Sequence, residues 1–85
     1  MRVNYDKRFD VLYLSFSDSS QSYGHENPDG FVVLHDLMTE EVTGVTIFDF
    51  MERYVRGLIP EMPLPIPVNY TNDVIPLIRK TIDRI

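Results

Sequence analysis

The chain contains no cysteine and no tryptophan, and only four of its 85 residues are glycine. Without cysteine there is no disulfide staple, no thiol nucleophile and no thiolate zinc site. No serine sits in a Gly-x-Ser-x-Gly turn, and Gly30, Gly44 and Gly57 stand singly, so neither a nucleophile elbow nor a phosphate-cradling loop can be drawn. Long apolar runs are absent too, and none approaches the roughly 20 residues that cross a bilayer. The opening MRVNYDKRFD lacks the basic start and apolar stretch of a secretory signal. The expectation is a cytoplasmic protein with no membrane partner.

Base is missing from the middle of the chain. Residues 9–52 carry nine Asp and Glu and no Lys or Arg, while Arg2, Lys7 and Arg8 precede them and five bases follow, giving a net charge of −5. Nucleic acid is held by clustered Lys and Arg, so this segment predicts no nucleic-acid partner. Such an acidic run ordinarily marks a solvated sheet face; its functional counterpart is a surface for a basic protein.

What is present is 44% hydrophobic residues, five Tyr and five Phe. A chain this short buries only about 60–65% of the surface its unfolded form exposes. One domain over residues 1–85, with a thin core made up by oligomerisation, is therefore expected, and a homodimer is the simplest form.

From Arg2 to Phe48 the apolar residues alternate, which predicts half-buried strands over 2–6, 10–16, 20–26, 30–36 and 42–48. Asn27-Pro28-Asp29-Gly30 is a strong turn signal between the third and fourth. Read in sequence order these strands make an antiparallel β-meander. Asp49 followed by Glu52 matches a capping box, and Gly57 a left-handed stop, so a short helix is predicted over 50–56.

Beyond it, Pro60, Pro63, Pro65 and Pro67 exclude helix and central strand. Met62, Leu64, Ile66 and Val68 alternate between them, so the prolines should form an extended strap laid against something apolar. The Pro60–Pro63 spacing also fits a PxxP ligand, but no basic flank follows it. Val74, Ile75, Ile78, Ile82 and Ile85 recur at helical spacing over 72–85, an amphipathic helix with Asp73 as its expected N-cap and Pro76 in its first turn. The predicted class is α+β: a five-stranded meander over 1–50, then a short helix, a proline strap and a C-terminal helix over 51–85.

Tyr5-Asp6, Asp10, Leu12-Tyr13-Leu14, Asp29-Gly30, Asp36, and the series Val42, Gly44, Val45, Ile47 and Asp49 together resemble the domain-of-unknown-function family 2283 over about residues 3–50. The family opens on Tyr-Asp-x-x-x-Asp-x-Leu-Tyr-Ile. The resemblance implies a small antiparallel sheet and, from members encoded beside toxin-like domains, an antitoxin-like or partner-binding role. Leu34 replaces a typically polar residue, Thr46 a common Glu, and the 37–40 loop has no glycine. Both sheet faces are consequently more apolar than the family pattern, and each needs a cover.

Two constellations invite chemistry. Asp6 and Asp10, with Tyr5, could form an acid–base pair at the mouth of a hairpin, the basis of an alternative reading as a small hydrolase or metal-dependent enzyme. Their position in a strand connection favours a structural role, in which Asp bonds nearby backbone N–H groups. His25, Glu26 and Asp29 could hold a metal, yet His25 and Glu26 are strand neighbours that point to opposite faces, and His35 lies at the far end of the hairpin. No cofactor is expected. The leading expectation is a non-enzymatic interaction module, homodimeric and suited to a basic partner, with Leu34, Phe48, Met62, Leu64, Ile66, Ile78 and Ile82 as candidate contact residues.

Overall fold

The computed structural model describes residues 1–18 and 21–82. Five strands, β1 (Arg2–Asp6), β2 (Val11–Ser15), β3 (Ser22–Asn27), β4 (Phe31–Asp36) and β5 (Val42–Phe48), form one antiparallel sheet and are followed by helix α1 (Phe50–Arg56). The α+β class and five antiparallel strands match the sequence expectation. The order does not: it is β1-β2-β5-β4-β3, so β2 to β5 make a Greek key rather than a meander.

Composition explains the order. β5, VTGVTIF, is rich in β-branched residues and lies in the middle, with Val45 and Ile47 fully buried. β3, SYGHEN, is the most polar strand and takes an edge. The connection from β2 to β3 begins across the end of β5, where the Phe16 and Ser17 N–H groups donate to Thr43 O, and arrives where Gln21 O accepts from Leu37 N–H. Thr43 is the extra residue of a bulge, since Leu34 pairs with Gly44 but His35 with Val42.

One face of the sheet carries Leu12, Leu14, Phe31, Val33, Val45 and Ile47, all buried beneath Phe50 of α1 and Val74, Ile75 and Ile78 from the C-terminal helical segment. The strap lies on this same face. Met62, Leu64 and Val68 pack against the core, while Ile66 is 45% exposed although it lies beside Phe16 and Val42.

The C-terminal segment departs from its expected start. A π-helical turn (Tyr70–Val74) leads into α2 (Ile75–Ile82), and the N-cap is Asn69, not Asp73. The Asn69 side chain accepts from Asn72 N–H, and Asp73 returns the bond by accepting from Asn69 N–H. Pro76 supplies the reason: it has no N–H, and its ring clashes with the carbonyl one turn back, so the preceding turn widens to let Ile75 N–H reach Tyr70 O.

Candidate functional site

The hairpin between β1 and β2 sets Asp6 and Asp10 to different tasks. Asp6 accepts from Arg8 N–H at 3.0 Å, the local turn bond expected of it. Asp10, at φ 55° in the left-handed region, turns away from its own hairpin toward α1. Its backbone O accepts from Phe50 N–H at 3.0 Å, and its carboxylate accepts from Met51 N–H at 2.7 Å and Glu52 N–H at 3.2 Å. Three first-turn N–H groups of α1 thus find their partner some forty residues back in the chain.

The predicted capping box at Asp49 is corrected accordingly. Asp49 occupies the N-cap position with φ 55° and makes no side-chain cap bond, because Asp10 already holds the donors it would have reached. Tyr5 completes the arrangement by donating its hydroxyl to Asp10 Oδ1 at 2.8 Å, while its ring meets Phe50 edge-on at 6.4 Å. Burial, then the bond to Asp10 and the charges of Asp10 and Asp6, push the Tyr5 hydroxyl above the ordinary tyrosine value. The sequence signal was the Tyr5–Asp10 offset, but nothing local pointed to α1 as the recipient.

The histidines sit where register puts them. His25 lies opposite Val33 and His35 opposite Tyr23, both on the core-bearing face, whereas Glu26 points to the other. His35 bonds Glu40 O through Nδ1 at 3.0 Å and stacks on Tyr23 at 5.5 Å. Among the described residues no three His, Asp or Glu gather as ion ligands, so His25, Glu26 and Asp29 are not brought together.

The second sheet face is a different surface. Register assigns it three cross-strand rows: Arg2, Ser15, Gly44, Leu34, Gly24; Asn4, Tyr13, Thr46, Val32, Glu26; and Asp6, Val11, Phe48. Tyr13 and Phe48 are 43% and 42% exposed, Val32, Leu34 and Thr46 are half-buried, and Val11 in the third row is buried. In the first row Leu34 lies flat between two glycines, because a Cβ on Gly24 or on Gly44 would stand 3.4 Å from one of its methyls. Gly44 has no alternative, since a Cβ there would come within 2.7 Å of Leu14 O. The result is a shallow trough of about 480 Å³ between Arg2, Tyr13 and Leu34, with Ser15 and Thr46 in its lining.

Of the residues expected to make contacts, Leu34 and Phe48 belong to this face. Met62, Leu64 and Ile78 instead serve the chain's own core, Ile78 being 2% exposed, because the strap and α2 fold back onto their own sheet. The Ile82 side chain and Ile85 lie outside the described residues. A further groove of about 600 Å³ between α1 and α2 is lined by Met51, Tyr54, Ile75 and Ile78, with Thr71 and Arg79 as its polar members.

Most of the nine acids of the middle segment stand at the ends of the sheet, although Glu26 lies in a cross-strand row of the second face. Asp29 is in the β3–β4 turn, Asp36, Glu40 and Glu41 are at the β4–β5 turn, and Asp49 and Glu52 are at α1. Asp18 pairs with Arg2 at 2.7 Å, and Asp36 accepts from Met38 and Thr39 N–H. Comparison with protein families, curated proteins and solved structures finds no match to this chain. No described helix is long and apolar enough to cross a membrane.

Proposed function

We propose that the chain is a non-enzymatic protein-interaction module and that its docking surface is the uncovered sheet face. One observation carries this: the strap and helices pack on one side, while the opposite side leaves Tyr13 and Phe48 exposed with Val32, Leu34 and Thr46 half-buried between them. An apolar patch of this kind is costly to leave wet and is the ordinary signature of a binding surface. Acids at both ends of the sheet give the patch an acidic rim, so the complementary partner has an apolar centre and basic margins, as an antitoxin's target would. The hydrolase alternative has less support, because Asp10 would have to abandon the first turn of α1 before it could exchange a proton.

Co-expression with the product of the neighbouring gene, followed by size-exclusion chromatography, tests the proposal. The expected result is a stable complex that Phe48→Glu or Leu34→Glu abolishes and that Met38→Glu, placed on a turn where the side chain is 83% exposed, leaves intact. A complex indifferent to both face substitutions would overturn it, as would no complex at all.

A further inference from the structure

Both edges of the sheet are not equally guarded. β1 carries Arg2 and Asp6, and α2 packs against it. β3 has neither proline nor lysine, five of its six residues are exposed, and among described strands it pairs only with β4. With Glu26 as its only Asp, Glu, Lys or Arg and no helix packed against it among the described contacts, β3 is the less guarded edge, and such an edge is a template for another strand. The geometry points to a second copy of this chain as the occupant, paired antiparallel through β3 about a two-fold axis at Gly24.

Backbone direction and side-chain pairing select that register. Gln21 O faces β4, where it accepts from Leu37 N–H, and Asn27 O faces the β3–β4 turn, where it accepts from Gly30 N–H. Backbone groups alternate in direction along a strand, so the N–H and C=O of Ser22, Gly24 and Glu26 point outward. A dyad at Gly24 joins Gly24 to its mate and each Ser22 to the other copy's Glu26, three fully hydrogen-bonded pairs. On the core-bearing side each Tyr23 then meets the other copy's His25, an aromatic pair of the favourable cross-strand kind. Moving the dyad to His25 would set the two imidazoles face to face and bring Ser22 opposite Pro28, which has no N–H to give. The Gly24 register wastes no donor and opposes no like charges.

Pairing also makes one surface of two. The row Arg2, Ser15, Gly44, Leu34, Gly24 continues through the axis into its own mirror sequence, so the trough runs unbroken across ten strands. Strands about 4.8 Å apart and residues about 3.4 Å apart give a single open face a flat footprint of roughly 400 Å². Specific partners cover about 800 Å² a side, which the joined faces supply and one face does not. The dimer does not depend on the docking proposal, and Phe48→Glu, far from β3, separates the two.

Sedimentation equilibrium of the full chain from about 1 to 300 µM, read with circular dichroism, tests the pairing. The expected result is a reversible dimer that Phe48→Glu preserves and Glu26→Pro weakens at least tenfold, since proline removes an outward N–H that β4 does not use. Ser22→Glu sets acid against Glu26 of the other copy and should weaken the dimer. Ser22→Lys should restore or strengthen it, although both variants lose the same 3.0 Å contact with Thr43. A monomer throughout that range would overturn the inference. So would equal effects of the two Ser22 substitutions, a reading that stands even if Glu26→Pro fails to fold.

Discussion

The Asp10 carboxylate accepts from Met51 and Glu52 N–H in the first turn of α1, whereas the Asp6 carboxylate accepts within its own turn, from Arg8 N–H. As a turn residue Asp10 should matter about as much as Asp6; as the remote cap of α1 it should matter far more. Asp10→Ala is expected to cost about 2–3 kcal/mol, a helix cap plus a charged hydrogen bond, and Asp6→Ala about 0.5–1 kcal/mol. Urea unfolding of both, with Asp10→Gly as the control that accepts the left-handed backbone without a carboxylate, measures the gap. Were Asp10→Gly as stable as the parent, backbone conformation and not capping would be the role. Tyr5 adds a pH dependence. Its hydroxyl titrates above the ordinary value of 10 in the folded chain, first because it is buried and then because it donates a hydrogen bond to the Asp10 carboxylate. The neutral form is thus favoured by folding, so the contribution is complete below pH about 10 and is lost as pH rises beyond it, where the unfolded tyrosine gives up its proton. Tyr70, raised by burial, acts in the same direction. Unfolding at pH 8 and pH 11 should therefore show Tyr5→Phe losing less stability than the parent over that interval; an identical loss would remove Tyr5 from the account.

At the scale of elements, what could be read in the sequence was local. β1, β5 and α1 fall on their predicted limits because alternation and the Gly57 stop are written within each segment, and Gly57 does close α1 at φ 68°. Strand order was not legible, because period-two alternation says which residues share a face and nothing about which strands are neighbours. Only the contrast between VTGVTIF and SYGHEN carried that information. The strap was legible as extended and apolar; that it lies on its own core followed from packing with Tyr70 and Phe16, contacts remote in sequence. α2 was recognised as amphipathic, but its beginning depended on a bond between Asn69 and Asp73 that competes with the simpler cap. The candidate site shows the same division: Phe48 is legible from alternation and Leu34 from its departure from the family pattern, whereas the Gly24–Leu34–Gly44 floor exists only once three strands are aligned.

For the whole molecule, charge and self-association oppose one another. Antiparallel pairing through β3 brings the turn end of one copy, with Glu26 and Asp29, alongside the Asp36–Glu41 end of the other, on both sides of the axis. Each chain also carries a net −5, so the proposed dimer would form against repulsion. Raising ionic strength from about 10 to 150 mM shortens the screening length from roughly 30 to 8 Å, and acids about 15 Å apart then repel far less. Dimerisation of the parent chain should accordingly tighten by about fivefold to tenfold over that range, measured by sedimentation at constant pH. Ser22→Lys reverses the nearest term, since each new lysine faces Glu26 of the other copy, and its dimer should gain less from salt than the parent's or weaken outright. An interface made instead from the two uncovered faces would bury Phe48 and leave Ser22 at its margin. Its salt response would be the same for parent and Ser22→Lys, and Phe48→Glu would dissolve it.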